Sequence, residues 1–458
     1  MPAVTDADRL TSSPAGVIAS SHPSCTEQIS VHSLITNRPI KYPIFDANGL
    51  LLLAEGSVIT TKFKELLRAR DITQVRMHDD DVRAATLTEH SDSDKIPEVR
   101  FDPELTAKLD RIIESGNLFV ANTGDALVEQ MNRIGCRGYN RKERERVIGS
   151  HRKASAALDG CLQDALRGNP VDGKQLLNTT GQYLTATMSD ADCVLSVVLE
   201  VGDDTRLSNH CLRMSVLAMA IGIEMGLDEQ NTRTLGLCGL LHDWGMVKVP
   251  QAIRDAKRIL SEGDFVAIKR HPIHTLELLE KVKDLPPIVP LVTYQVHERP
   301  DGNGYPRGRR MRETHLFARI LGVADAYLAL TSPRPYRGAL MPYAAMECLI
   351  TQASQRCFDP GVVKALLQIM SLFPIGSYVV LSNGTVARVL RRSGSEYGKP
   401  IVQIVAGPDG TKVPESDETA TYDLSTSSDL HVVQALPTPG EHQLALSPEL
   451  VTIKREPV

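Results

Sequence analysis

Apolar positions change their spacing along the chain, and each change predicts a different kind of structure. Over residues 29–80, short apolar runs flank Asp46-Ala47-Asn48-Gly49, which is a hairpin signal, and helical spacing follows over 60–70. Between residues 100 and 371 the apolar spacing is helical. After Phe373-Pro374 the pattern becomes a series of short β-type runs separated by Gly and Asn.

These patterns predict a multi-domain protein, with a mainly α-helical bundle between a small N-terminal α+β module and a small C-terminal β module. A chain of 458 residues is too long for one compact core, which agrees with two or three domains. The predicted order is a disordered tail over 1–28, an α+β module over 29–80, a linker over 81–99, a helical connector over 100–184, a helical domain over 185–371, a β-barrel-like module over 372–436 and a loose tail over 437–458.

Composition narrows the classes of function. The net charge of −5 argues against a general DNA- or RNA-binding protein, which needs a basic face. The eight cysteines form no Cys-x-x-Cys pair, so neither a structural zinc site nor a disulfide framework is expected, and a reducing cytoplasm fits best. The first residues lack the features of a signal peptide, and no apolar run is long enough to span a bilayer, so no membrane association is expected.

Histidines cluster in one part of the helical region, where six of the thirteen lie between positions 210 and 315. An almost wholly apolar helix is predicted over 234–241, and it ends in His242-Asp243, with Gly245 as its expected C-terminal stop. Two ionisable groups at the end of a buried helix are costly unless something pairs with them. A bound metal ion would satisfy both groups.

Further candidate ligands lie at wider spacing along the same region, and they are His210, His271, His297 and Asp325. Neutral imidazoles and carboxylates suit divalent Mn, Fe, Ni, Co or Zn. An aspartate can bridge two ions, which makes Asp243 the natural bridging ligand of a two-metal site. Such a site can clamp a phosphoryl oxygen and activate water.

The order of these motifs resembles the HD-GYP family of HD-type metal-dependent phosphohydrolases, over roughly residues 185–350. The motifs that carry the resemblance are Leu240-Leu241-His242-Asp243, Lys269-Arg270-His271-Pro272, the segment from His297 to Pro306, Ala318-Arg319-Ile320 with Ala324-Asp325, and the segment from Leu330 to Arg337. The resemblance implies a helical HD-type bundle that hydrolyses cyclic di-GMP to pGpG or GMP.

The resemblance also implies roles for individual residues. One divalent transition metal would be held by His210, His242, Asp243 and Asp325, and the second by Asp243, His271 and His297. The catalytic residues would be Asp243 and His242, with Lys248 as a candidate cation. The substrate would be bound by Asp301, Gly302, Gly304, Tyr305, Pro306, Arg334 and Arg337.

The segment Asp301–Pro306 has two interpretations. By itself it would be an ordinary surface turn, since Gly and Asn supply the positive φ values that turns need. Next to a ligand histidine it is better explained as a substrate loop. Its glycines would let backbone N–H groups approach a phosphate, and Tyr305 would offer a ring to stack on guanine.

Three positions depart from the family pattern. Met246 stands where many relatives carry a phosphate-contacting lysine, and Lys248 is the nearest replacement along the chain. Val296 removes a second-metal ligand, and Arg206 replaces an acidic residue that serves a third metal in some relatives. Two further histidines match no family ligand and are expected to be structural or surface residues, namely His274 and His315.

Three hypotheses about function follow. The leading one is an active cyclic di-GMP phosphodiesterase with two divalent metals. The second is a degenerate domain that binds cyclic di-GMP or a protein partner with little turnover, and the third is a phosphohydrolase for another cyclic dinucleotide or nucleotide. The retained ligand positions favour the first over the second, and the intact loop favours the first two over the third. A regulatory protein and a second copy of the chain are further candidate partners.

Overall fold

The computed structural model describes most of the chain, namely residues 26–31, 34, 38–70, 72–79, 81–82, 120–200, 206–256, 258, 260–333, 338–394, 396–414, 418–439, 441 and 443–445. The chain forms two compact units, residues 1–97 and 98–458. Several predictions fall outside the described residues: most of the tail over 1–28 and of the linker over 81–99, the first twenty residues of the helical connector predicted over 100–184, and the last part of the chain.

The N-terminal unit is a four-stranded antiparallel sheet with one helix. The sheet order is β1-β6-β3-β4, and β2 pairs separately with β5. The predicted hairpin is confirmed, because β3 and β4 pair across a turn in which the Asp46 carboxylate accepts hydrogen bonds from the N–H groups of Asn48 and Leu50. The elements are β1 Thr26–Ser30, β2 Arg38–Pro39, β3 Ile44–Phe45, β4 Leu51–Leu53, β5 Val58–Ile59, α1 Thr61–Ala69 and β6 Gln74–His78.

Both predicted edges of this module are wrong by a few residues. Strand β1 begins at Thr26, inside the predicted tail, because its whole length pairs with β6. At the other edge, Asp81 accepts hydrogen bonds from the N–H groups of Lys41 and Tyr42, and Val82 is buried in the module core. The module therefore includes Asp81 and Val82, although their polar surroundings in the sequence predicted that they belong to a linker.

The second unit is dominated by helices that share one large apolar core. They are α2 Arg141–Leu166, α3 Gly173–Leu199, α4 Leu207–Glu224, α5 Glu229–Leu241, α6 Gln251–Arg254, α7 Glu262–Ile268, α8 His271–Leu279, α9 Ile288–Gln295, α10 Leu316–Thr331, α11 Pro342–Ser354 and α12 Pro360–Met370. Two further strands, β7 Val171–Asp172 and β8 Val282–Lys283, pair in parallel within the unit. The predicted mainly helical bundle is confirmed.

Two details of the helical region differ from the predictions. The proposed boundary at 184 falls inside α3, which continues to Leu199 with a kink at Asp190. Residues 120–139, expected to be helical, hold only the short 3₁₀ turn Leu127–Glu129. The Asp228 carboxylate accepts hydrogen bonds from the backbone of Thr123 and Gly124, so these peptide groups bond to a neighbouring loop instead of a helix.

A five-stranded antiparallel sheet follows the helices, in the order β13-β12-β11-β10-β14. Its strands are β10 Tyr378–Leu381, β11 Val386–Arg391, β12 Ile401–Ala406, β13 Thr421–Asp423 and β14 Val432–Leu436, so the predicted β region is confirmed. The edge strands β13 and β14 do not pair with each other in the described chain, so this is an open sheet and not a closed barrel.

A buried ion pair joins this sheet to the bundle. The guanidinium of Arg391 on β11 donates to both carboxylate oxygens of Asp190, at 2.6 and 2.8 Å, and lies 3.6 Å from Asp192. Its Nε donates to the carbonyl of Arg137 at 2.8 Å. The bond to Asp190 is made at the kink of α3, so the sheet is held on the bundle at that kink.

The predicted loose tail is partly ordered. Strand β15 Gln443–Leu444 pairs in parallel with β9 Ala339–Leu340, between α10 and α11. This part of the tail has no helical or alternating pattern. It is ordered because its backbone forms hydrogen bonds with β9, which lies about a hundred residues earlier in the chain. Within the described ranges, every helix is too short or too polar to cross a membrane.

Candidate metal centre

Close helix packing brings the first ligand candidates together. His210 lies in the first turn of α4, and His242 caps the C-terminus of α5. Gly239, one turn before His242, lets α5 approach α4: an added Cβ would lie only 2.7 Å from the Cα of Ser215. Gly322 has the same relation to Asp325, since a Cβ there would lie 2.9 Å from the carbonyl oxygen of Val296.

The turn after His242-Asp243 differs from the prediction for Gly245. Helix α5 ends at Leu241, and Trp244–Lys248 form a 3₁₀ turn, so Gly245 does not stop the helix. A Cβ on Gly245 would lie 2.0 Å from the carbonyl oxygen of His271. This glycine is therefore needed because the turn packs directly on α8, where the hydroxyl of Thr275 donates to the carbonyl of His242.

All six predicted metal ligands converge. They form two adjoining groups in which the candidate ligand atoms lie within 4.8 Å of one another: His210, His242 and Asp325, and Asp243, His271 and His297. Asp243 faces both groups. Its Oδ2 lies 3.7 Å from His210 Nε2, and its Oδ1 lies 3.1 Å from His271 Nε2 and 3.5 Å from His242 Nε2.

Asp325 and His297 link the groups a second time. Asp325 Oδ1 lies 3.6 Å from His210 Nε2, and its Oδ2 lies 3.7 Å from His297 Nδ1. His297 Nε2 in turn lies 3.8 Å from Asp243 Oδ1. The six side chains therefore form one continuous cluster whose centre is the Asp243 carboxylate.

Backbone carbonyls orient two of the imidazoles toward the cluster. His242 Nδ1 donates to the carbonyl of Gly239 at 2.9 Å, and His271 Nδ1 donates to the carbonyl of Ile268 at 2.7 Å. Because a carbonyl only accepts, each Nδ1 carries the proton, and in the neutral ring Nε2 presents its lone pair to the cluster. His242 Nε2 is buried without a hydrogen-bond partner.

Protonation states follow from burial and from these neighbours. Burial lowers the pKa of His210 to about 4 and also lowers the pKa of His297, so both rings are neutral at pH 7. Burial alone would raise the pKa of Asp243, but the positive charge that the facing rings of His242 and His271 would carry when protonated brings it well below its usual range. For Asp325 the neighbouring imidazoles likewise outweigh burial and lower the pKa.

This combination fits a divalent metal. Two ionised carboxylates, with only 15% and 16% of their side chains exposed, face imidazoles whose lone pairs point at a common space, and a lone pair without a donor is costly to bury. His271 Nε2 and His297 Nε2 lie only 2.9 Å apart, so two nitrogen acceptors would repel unless a proton or a cation lies between them. Nitrogen and carboxylate donors suit the borderline transition metals.

The loop that begins at His297 folds back onto the ligands. The N–H of Tyr305 donates to the carbonyl of His297 at 3.1 Å, and the buried Glu298 carboxylate accepts from the N–H groups of Arg307 and Arg309 at 2.7 Å. Gly304 has no room for a Cβ, which would lie 2.4 Å from the carbonyl oxygen of His297. Gly304 is therefore required because the loop packs against its own first residue, His297.

The other predicted loop residues lie in the same turn. The Asp301 carboxylate accepts from the N–H and the side-chain amide of Asn303, Gly302 has a φ of +83°, and the Tyr305–Pro306 peptide bond is cis. The ring of Tyr305 stacks on the imidazole of His297, with centroids 4.8 Å apart and planes 10° from parallel. One face of Tyr305 therefore covers a candidate ligand and is not open to a guanine.

Two predicted substrate-binding residues cannot be placed relative to this cluster, and a predicted catalytic residue, Lys248, stands apart from it. Arg334 and Arg337 lie outside the described residues. Lys248 Nζ donates to Glu277 Oε2 at 2.6 Å, so its charge is engaged by a carboxylate on α8.

The positions that depart from the family pattern have visible contacts. Arg206 pairs with Asp159 at 2.8 Å, Val296 is fully buried in the apolar core, and the N–H of Met246 donates to the carbonyl of Asp243 at 2.8 Å. The two other histidines have structural contacts. His315 caps α10 by accepting from the N–H of Phe317, and His274 lies 3.3 Å from Glu277.

Sequence reasoning missed three features of this centre. They are the carbonyls that orient His242 and His271, the bracing hydroxyl of Thr275, and the contact of Lys269 with Tyr305. The sequence does contain a signal for the close helix packing at this centre. A glycine precedes both His242 and Asp325 by three residues, which is the spacing that opens a helix face for a close neighbour.

Comparison with known proteins agrees with this geometry. Residues 198–362 match the HD domain family. The chain is 29% identical over 253 residues to a cyclic di-GMP phosphodiesterase of Pseudomonas aeruginosa, and 37% identical over 157 residues to the cyclic di-GMP phosphodiesterase response regulator RpfG of Xanthomonas campestris. It is 29% identical over 185 residues to 3'3'-cGAMP-specific phosphodiesterase 3 of Vibrio cholerae.

These matches cover 55%, 34% and 40% of this chain. They span 60%, 41% and 40% of the relatives' own lengths, which is less than two thirds in each case. The HD pair, the glycine-rich loop and the helix of Asp325 all lie within the region that the HD domain family matches. Residues 198–362 therefore form an HD domain, and its motifs are similar to those of the HD-GYP family.

Proposed function

We propose that the HD domain is a metal-dependent phosphodiesterase that hydrolyses a cyclic dinucleotide, with cyclic di-GMP as its substrate and pGpG or GMP as its products. The observation that carries this proposal is the pair of adjoining ligand groups that share the Asp243 carboxylate. One carboxylate between two ligand groups is the arrangement a two-metal phosphodiesterase needs. Named relatives act on cyclic di-GMP or on 3'3'-cGAMP, which supports a cyclic dinucleotide as the substrate class.

Each residue then has a task. His210, His242 and Asp325 would hold one divalent cation, His271 and His297 the other, and Asp243 both. Bound there, the cations supply Lewis acidity toward a phosphate and lower the pKa of water. The chain contributes neutral imidazoles in fixed orientations, and the loop from His297 to Pro306 forms a wall beside the ligands.

In the reaction, water adds to one phosphorus and the bond from that phosphorus to the ribose oxygen breaks. The product is a linear dinucleotide with one terminal phosphate, and a second hydrolysis would give two mononucleotides. The loop backbone, Asp301 and the arginines at 334 and 337 are the proposed substrate contacts, and Lys248 is the weakest of the proposed catalytic residues because Glu277 already pairs with it.

The experiment is to load the purified chain with Mn(II) or Fe(II), add cyclic di-GMP, and separate the products by anion exchange. Elemental analysis should find close to two metal ions per chain, and chelator-treated protein should be inactive. 3'3'-cGAMP is the parallel substrate that tests the alternative specificity. Cleavage by metal-free protein would contradict the mechanism, and tight binding of cyclic di-GMP by fully loaded protein without cleavage would favour the degenerate-domain hypothesis.

A further inference from the structure

Lys269 is held next to the metal centre by the same turn that orients His271. It is the C-terminal cap of α7, where its N–H donates to the carbonyl of Phe265 at 2.8 Å. One residue earlier, the carbonyl of Ile268 accepts from His271 Nδ1. The same turn of backbone therefore orients the His271 imidazole and positions the Lys269 side chain.

The ammonium of Lys269 lies over the Tyr305 ring, 5.8 Å from its centroid. Tyr305 stacks on His297 and meets His271 edge to face, with centroids 6.1 Å apart. In the described part of the chain, no carboxylate pairs with Lys269 Nζ, and the ring is its recorded contact. A cation–π contact leaves the ammonium charge available to an anion.

Nearby cations are engaged elsewhere. Lys248 is paired with Glu277. The guanidinium of Arg299 stacks on Phe358, 4.4 Å from the ring centroid, and its Nη1 points toward the carbonyl of Gly322. Lys269 thus combines a place beside two ligand histidines with a charge that no carboxylate of the described chain pairs.

We propose that Lys269 is a phosphate-contacting residue of the metal centre, and this inference rests on the proposed function of the HD domain. A phosphodiester carries one negative charge, and that charge grows on the phosphoryl oxygens during attack by water. A lysine ammonium is a compact charge with three donors on a flexible stem, so it can turn from the Tyr305 ring to a phosphate oxygen without moving the backbone.

The test measures the binding of inorganic phosphate to the full-length, metal-loaded chain by calorimetry. Lys269→Met removes the charge and keeps the length, and we expect affinity to fall about 10- to 100-fold, the loss of one charge-assisted contact. Lys269→Arg keeps the charge and should bind within a few-fold of the parent. Metal content, measured on the same samples, should be unchanged in both variants.

The matched control is Lys281→Met, an exposed lysine just beyond the other end of α8. Four outcomes would overturn the proposal: no phosphate binding by the loaded parent, parent-like affinity in Lys269→Met, metal loss in Lys269→Met, or an equal loss of affinity in Lys281→Met. A separate titration with cyclic di-GMP keeps the two proposals distinguishable. If cyclic di-GMP neither binds nor is cleaved while phosphate binding depends on Lys269, the substrate assignment fails and the Lys269 contact stands.

Discussion

Largely buried charged groups lie in two regions of this protein, and the regions differ in whether these charges have partners of opposite sign. Where the β-sheet meets the helical bundle, the Arg391 guanidinium is matched by Asp190 and Asp192 and by a backbone carbonyl. At the metal centre, Asp243 and Asp325 face imidazoles, and no Lys or Arg in the described chain lies within ion-pair distance of either carboxylate.

The contrast separates a structural role from a ligand-binding role. A buried charge with a complete set of partners needs nothing more, and removing one partner leaves the other uncompensated. A buried cluster of acceptors without cationic partners is complete only when something positive enters it. The first arrangement holds two parts of the fold together, and the second defines a site.

The largest expected effect comes from breaking the centre of the metal cluster. Asp243→Asn keeps the shape of the side chain and removes the charge that both ligand groups share. We expect loss of bound metal together with at least a 10²- to 10³-fold loss of phosphodiesterase activity. Elemental analysis and product separation measure both. The control is His274→Ala, which lies on α8 outside the cluster, and equal effects in the two variants would show that the ligand assignment is wrong.

The next largest effect is a loss of stability on breaking the ion pair of Arg391 between the β-sheet and the helical bundle. Arg391→Met removes one partner of a buried ion pair, and we expect it to cost about 3–5 kcal/mol in the free energy of unfolding. Denaturant unfolding can be followed through Trp244, the only tryptophan of the chain, which is fully buried beside Asp243. Arg141→Met, which breaks an exposed pair with Glu145, is the control and should cost less than about 1 kcal/mol. Similar costs would contradict the structural role.

A smaller effect should appear in the pH dependence of the free energy of unfolding, through Asp192 beside Arg391. Burial raises the pKa of Asp192 to about 6, against 3.8 for a free carboxyl, although Arg392 and Arg391 oppose the shift. The folded state therefore binds the proton more tightly, so this stabilising contribution is full below about pH 4 and is lost as pH rises through about 6.

Asp192→Asn should remove this dependence of the unfolding free energy on pH. We expect the parent to lose on the order of 1–2 kcal/mol of stability between about pH 4 and pH 7 that the variant retains. The measurement is the difference in unfolding free energy between the two proteins at several pH values. A difference that does not vary with pH would mean that Asp192 stays ionised in the folded protein.

The smallest expected effect comes from adding a positive charge at position 246, next to Asp243. Met246 and lysine are both unbranched and similar in length, and Met246 is only partly buried in the turn that follows Asp243. Met246→Lys should raise turnover of cyclic di-GMP by at most about tenfold, since a new ammonium would attract the phosphate but repel the bound cations. A loss of turnover with metal content unchanged would show that position 246 does not face the substrate.

Much of this protein could be predicted from local pattern. The helix Thr61–Ala69, the hairpin around Asp46 and the strands after Phe373 follow from apolar spacing and turn residues, which act over a few positions. The candidate ligand set followed from residue chemistry, because an ionisable side chain in an apolar helix needs a partner wherever that helix is placed. His274 and His315 are left out of the set because they match no ligand position of the family that the sequence resembles, and the structure gives both of them other contacts.

What local pattern could not supply is which distant groups meet. The central position of Asp243, the stacking of Tyr305 on His297 and the paired charge of Lys248 depend on helix contacts across tens of residues. Arg391 and Asp190 are 201 residues apart in the chain, and neither position has a local pattern that points to the other. Burial and pairing are properties of the packed chain, since each charge takes the partner that packing brings within reach. The amino-acid sequence thus determined which side chains could serve as ligands, and tertiary packing decided which charges were left without a partner.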